Sequence, residues 1–209
     1  MKDIVQQLRD KRWIATFVIY LRYLIGGAYV FAAFPKIFGE RFTSVSGESA
    51  PIDQAWHFFE TLYRSGIYWE FLGWSQVIAG LLLMTQRLAT LGAVVFLPVS
   101  INIFMITVSY HFGGTIVITS LMLLANIFLL MWDFKRLHHL LLPDTNDVLI
   151  KGNNDKYSSD NFWCWLGLLL FATTIAYVLI WNRNPMGWFF LCFIEGLGGW
   201  IYMKRKSWR

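Results

Sequence analysis

The sequence predicts an all-α integral membrane protein: a four-helix transmembrane bundle plus an additional C-terminal transmembrane hairpin, six spans with both termini cytoplasmic. Three observations lead there. Of 209 residues, 56% are hydrophobic and only 15% charged, against about a quarter charged in a soluble domain. Six apolar runs approach the roughly 20 helical residues that cross a hydrocarbon core about 30 Å thick. Lys and Arg collect in alternate connections, as the positive-inside rule requires.

The first span is placed at Trp13 to Phe38. Its apolar run is too long for a signal peptide and lacks a small-residue cleavage site, so it is expected to be retained. Within it, "LRYLIGGAYVFAAFPKIFGER" carries Arg22 and Lys36. The segment "PIDQAWHFFETLYRSG" then sets Ile52, Ala55, Trp56, Phe59, Leu62 and Tyr63 at helical spacing. It predicts an amphipathic helix near 52–64 on the outer surface, with Asp53 as N-cap.

Spans at Tyr68 to Gln86 and Leu88 to Tyr110 meet at "TQRLA", and the next, Thr115 to Lys135, follows "HFGGT", where two glycines supply the turn. The stretch 137–160 is polar and rich in Asn, Asp and Ser, and predicts a cytoplasmic loop. It separates a bundle at 1–136 from a hairpin at 161–209, with spans Asn161 to Trp181 and Pro185 to Met203 and a basic tail.

Placing the N-terminus inside puts Lys2, Arg9, Lys11, Arg12, Arg87, Lys135, Arg136, Lys151, Lys156, Lys204, Arg205, Lys206 and Arg209 on the cytoplasmic side. Only Arg41, Arg64 and Arg183 fall outside. Trp13, Trp132, Trp163, Trp165 and Trp208 then mark the inner interface, and Trp56, Trp69, Trp181 and Trp188 the outer one. The net charge of +5 is explained by this topology, and no basic face for nucleic acid is present.

Redox and metal chemistry find little support in the residues. Cys164 lies about 5 Å from the inner end of its helix and Cys192 about 16 Å from the inner end of the last, so the two are not expected to pair. No C-x-x-C occurs, which argues against a thiol relay or an iron–sulfur cluster. His57 and His111 fall outside, while His138 and His139 follow the fourth span inside, so no two histidines face each other as haem ligands. An interfacial role is the simpler reading of His138 and His139, beside Asp133 and Lys135. No phosphate loop or Ser-His-Asp arrangement is visible.

What remains is polar groups inside the membrane. Counted from the inner interface, Arg22 lies about 14 Å deep, Gln76 and Asn126 about 15 Å, and Glu195 about 12 Å. An intramembrane arginine costs about 2.5–3.5 kcal/mol or more and must find a partner. The depths predict an Arg22–Glu195 contact, or one with Gln76 and Asn126 if the hairpin packs elsewhere. A second group lies outward: Lys36, Glu70, Asn102, Tyr110 and His111. Lys36 and Glu70 also read as an interfacial ion pair worth about 1 kcal/mol or less, and Gln76, Asn102 and Asn126 as helix-to-helix hydrogen bonds. Gly26, Gly27, Ala28, Ala32, Ala79, Gly80, Gly196, Gly198 and Gly199 read as close helix packing.

The run "LRYLIGGAYVFAAFPKIFG", with an arginine early in the first helix, a small-residue centre and a lysine at its outer end, resembles the opening of the DoxX family. The outer amphipathic helix, "YWEFLGWSQVIAGLLLMTQRLATLGAVV" and "GGTIVITSLMLLANIFLLMWD" continue the resemblance over roughly residues 14–136. It implies a compact four-helix membrane bundle, in a family linked to quinone-dependent redox complexes, whose wider relatives include non-catalytic cargo receptors. A fold so widely shared does not fix an activity. The chain departs from the family by adding the hairpin and by lacking the cysteine pairs of thiol-handling relatives.

The resulting expectation is a bacterial-type inner-membrane subunit of a quinone-linked redox complex, working in the lipid bilayer with a protein partner. Its lipid- or quinone-sized pocket is expected to be lined by Arg22, Lys36, Glu70, Gln76, Asn102 and His111. Lys36 and His111 would donate to a carbonyl or headgroup, and Glu70 would orient Lys36. The alternatives are a non-enzymatic scaffold, assembly partner or cargo-receptor-like protein, and a small transporter, for which no inverted repeat is evident.

Overall fold

The computed structural model describes residues 11–43, 45–134, 137, 155–181 and 184–206. Those residues form α1 (Arg12–Ile37), α2 (Ala55–Arg64), α3 (Ile67–Met84), α4 (Ala89–Ser109), α5 (Thr115–Trp132), the single turn α6 (Asp155–Ser158), α7 (Asn161–Ile180) and α8 (Pro185–Lys206). Six of these helices, all but α2 and α6, are long and apolar enough to cross a membrane. Their bounds lie within about one helical turn of those expected from hydropathy. Most of the 137–160 loop, His138 and His139, and the flanking cations Lys2, Arg9, Lys135, Arg136, Lys151, Arg183 and Arg209 lie outside the described residues.

α1 is the central post, because two of its faces are apolar. One face packs with α3, α4 and α5 through Val18, Ile25, Tyr29, Ala79, Leu83, Ala93, Phe96 and Leu129. The other meets α7 and α8 through Ile19, Tyr23, Trp163, Leu166, Leu170 and Met203, joined by Met84. The α1–α3 contact is close because glycines face each other: a Cβ at Gly80 would lie 2.7 Å from Gly26 O, and one at Gly26 would lie 2.9 Å from Gly80 O. Gly167 of α7 is tighter still, since its Cβ would fall 1.9 Å from Met84 O. Gly198 is different, with open space where a Cβ would stand.

The end of the bundle where α1 begins also holds the α3–α4 turn, the end of α5, the start of α7 and the end of α8; we call it proximal. Arg87 Nη2 donates to Asn161 Oδ1 (2.6 Å) and Lys206 Nζ to Asp160 Oδ2 (2.7 Å), tying the α3–α4 turn and the α8 end to the start of α7. Asp160 is the N-cap of α7, accepting from Phe162 N. The Lys206 ammonium, with that backbone N–H, holds its carboxyl below the usual carboxylate range.

At the distal end, α2 lies over the bundle, though not as its stripe suggested. Its N-cap is Gln54, without a side-chain cap bond, in place of the expected Asp53. Ile52 and Trp56 are exposed, whereas Glu60 is buried. Glu60 turns inward because cations meet it there: Arg41 grips both its oxygens (2.8 and 3.0 Å), Arg64 adds a third bond (3.1 Å) and Gly47 N a fourth (3.3 Å). Arg41 first, and then Arg64 and the Gly47 amide, lower its pKa to about 2.

The two tight turns rest on left-handed backbone. In "HFGGT" only Gly113 of the glycine pair has positive φ (38°), and His111 takes the other such position (φ 48°). In "TQRLA" the position falls to Gln86 (φ 61°), a conformation that costs a non-glycine residue about 1 kcal/mol or more.

Candidate functional site

That strained turn leads to the site. Left-handed geometry at Gln86 sends its side chain into the bundle, where it is buried. Its Oε1 accepts from Arg22 Nη1 at 3.0 Å. Arg22 Nη2 donates to Asp133 Oδ2 at 2.7 Å, and Thr90 Oγ1 donates to the same oxygen at 3.1 Å. Four elements thus converge: α1 supplies Arg22, the α3–α4 turn Gln86, the first turn of α4 Thr90, and the α5 C-cap Asp133. Arg22 and Asp133 are 5% and 3% exposed, so their attraction acts with little water to screen it.

Above this network opens a cavity of about 480 Å³, lined by Ala15, Val18, Ile19, Arg22, Gln86, Arg87, Trp132, Asp133, Ser158, Ser159, Asp160, Asn161 and Cys164. The size is that of a small-ligand pocket. Its inner wall joins the apolar Ala15, Val18 and Ile19 to the buried Arg22, Gln86 and Asp133. Two donors in its lining, Arg22 Nε and Gln86 Nε2, are buried without a hydrogen-bond partner. Leaving a buried donor unmade costs about 1–3 kcal/mol, so an oxygen that reached either nitrogen would gain a bond. Cys164, a free thiol and half-buried, stands on the wall.

Of the residues expected to line one pocket, only Arg22 belongs to this cavity. The expected Arg22–Glu195 contact does not form. Tyr20, on α1, donates to Gly196 O (2.6 Å) beside Glu195, and Arg22, two residues on, lies about 200° round the helix, facing the other way. Side chains also lean toward the N-terminus of their own helix. Arg22 therefore leans proximally on α1 and Glu195 distally on the oppositely running α8. Glu195 Oε1 instead accepts from Thr173 Oγ1 (2.8 Å), and its Oε2 is buried without a partner.

The fallback partners are elsewhere too. Gln76 is buried in α3 with its Oε1 unpartnered. Asn126, fully buried in α5, bridges to α4 with its amide oriented to donate to Ala93 O (3.2 Å) and accept from Leu97 N (3.1 Å). That is the helix-joining role its residue type suggested.

The outward group is divided between buried and exposed positions. Lys36 is buried, with Nζ donating to Ala32 O (2.7 Å) and lying 5.2 and 5.3 Å from the rings of Phe42 and Trp69. The proposed Lys36–Glu70 pair is absent: Trp69 turns toward α1, and Glu70, 100° further round, is exposed. Asn102 is exposed because Ser100, two residues earlier, is the one that faces the core and bonds Tyr29 Oη (3.1 Å). His111 is exposed in its turn, its Nδ1 2.8 Å from Val108 O.

Gln86, Thr90 and Asp133 escaped sequence reasoning because depth was counted from Cα positions. An arginine reaching toward its own N-terminus meets residues at the proximal helix ends, and Asp133 is the acid standing there on α5. That offset was the available signal.

Over 82 residues the chain is 37% identical to the uncharacterized protein YwoB of Bacillus subtilis (strain 168), a stretch covering 39% of this chain and 50% of the relative. The chain thus spans about half the length of the curated relative it matches. No protein-family model and no solved structure matches the chain.

Proposed function

We propose that the chain is a DoxX-like integral membrane protein that holds the polar head of a lipid or quinone in its proximal cavity, as the membrane subunit of a quinone-linked redox complex. In this reading the six long helices span a bacterial-type inner membrane, and the proximal end with both termini faces the cytoplasm, where the cations Lys11, Arg12, Arg87, Lys204, Arg205 and Lys206 gather. The observation that carries it is the pair of unfilled donors, Arg22 Nε and Gln86 Nε2, in the lining of a 480 Å³ cavity.

A quinone fits such donors, because its carbonyl oxygens accept hydrogen bonds while its ring lies against apolar wall. When bound, it would supply electron and proton acceptance. The chain's own residues bind and orient: Arg22 and Gln86 donate, Asp133, itself bonded by Thr90, holds Arg22 in place, and Val18, Ile19 and Trp132 exclude water. Solvent extraction of the purified protein followed by mass spectrometry should recover a quinone in near-stoichiometric amount. Recovery of phospholipid alone, with respiratory flux unchanged on deletion, would leave a lipid-binding protein and remove the redox role.

The scaffold reading draws on the distal cap, where the Glu60 ion cluster fixes α2 and leaves Ile52 and Trp56 exposed. A stoichiometric non-redox protein recovered from native membranes would favour it.

A further inference from the structure

We infer that the proximal cavity selects an uncharged oxygen acceptor, a ketone or ester carbonyl, and rejects phosphate and carboxylate heads. This rests on the cavity being a binding site, and concerns the charge of what it takes. Four charged side chains among the described residues line it, Arg22 and Arg87 against Asp133 and Asp160, and the inner cation is already answered, Arg22 contacting Asp133 at 2.7 Å. Arg87 donates to the neutral Asn161 and is exposed at the mouth, where water screens its charge.

An anion placed at Arg22 Nε would lie within a few ångströms of the buried Asp133 carboxylate. At that range like charges repel strongly where water is scarce. A carbonyl oxygen gains the bonds from Arg22 Nε and Gln86 Nε2 without meeting that penalty. The mouth offers an anion no compensating helix terminus, because the α7 N-cap position is filled by the Asp160 carboxylate, itself bonded to Lys206.

The wall thiol gives a readout independent of any activity. In the full chain carrying Cys192→Ser, the rate of Cys164 modification by a maleimide in detergent is measured with three probes. These are a decyl-tailed ubiquinone, whose fully substituted ring leaves no position for thiol addition, dioctanoylglycerol and dioctanoyl phosphatidic acid.

The two neutral probes should slow labelling tenfold or more, and phosphatidic acid less than twofold. Asp133→Asn should reverse the order by releasing Arg22 to an anion, and Gln86→Leu should weaken protection by the neutral probes. Equal or stronger protection by phosphatidic acid in the Cys192→Ser protein overturns the inference while leaving a headgroup site intact. No protection by any probe removes the binding site itself, and the inference with it.

Discussion

Arg22 carries the sharpest consequences at the scale of single residues. Truncating one partner of a buried ion pair strands the other charge, at a cost of about 3–5 kcal/mol, whereas replacing both by apolar side chains is often neutral. Asp133→Ala should therefore lower the thermal midpoint in detergent by several degrees or prevent folding. Arg22→Leu with Asp133→Leu should recover most of the loss. Equal midpoints for Asp133→Ala and the unmodified protein would show that the pair holds nothing together. The residue types were legible in the sequence, as was the need of a mid-depth arginine for a partner. The partner was not, because rotation about α1 and the lean of a long side chain toward its own N-terminus decide it, and both depend on which face meets which helix.

Among the elements, the helix contacts divide glycines that look alike in the sequence. At Gly80 a Cβ would press on Gly26 O and Val30 Cγ2, at 2.7 and 2.6 Å. Gly80→Ala should cost about 1–3 kcal/mol through overpacking, and Gly167→Ala, directed at Met84 O, at least as much. Gly198→Ala, with nothing within 4 Å, should leave the denaturation midpoint in place or raise it slightly.

The distal helix responds to acid. Its Glu60 carboxyl is shifted down to about 2 from the usual 4.5, so the folded cap binds that proton less readily than the unfolded chain. The contribution is full above pH about 4.5 and is lost as pH falls toward 2. Protease cleavage within 41–64 should rise over that window, and Glu60→Gln should flatten the dependence. The helix itself was legible from its spacing, whereas the inward turn of Glu60 needed Arg41, which precedes it outside the helix.

The whole molecule depends on α1 being shared. Because its second face, Ile19 and Tyr23, packs on Trp163, Leu166 and Met203, ending the chain after residue 154 should uncover a continuous apolar strip and remove the cavity wall formed by Asp160, Asn161 and Cys164. Such a truncation should aggregate or melt well below the full chain, as seen by size-exclusion profile after heating. Unchanged behaviour would make the hairpin an appendage.

The bundle is also unlike at its two ends. Distally, Lys36 is covered by Phe42 and Trp69, and Trp69 Nε1 bonds Glu40 O (2.9 Å). Proximally, the wall of the cavity carries a thiol. In a sealed vesicle, an impermeant maleimide should modify Cys164 only in those molecules whose proximal end faces the reagent. The labelled fraction would then count how many copies inserted each way round, making the protein a gauge of its own orientation.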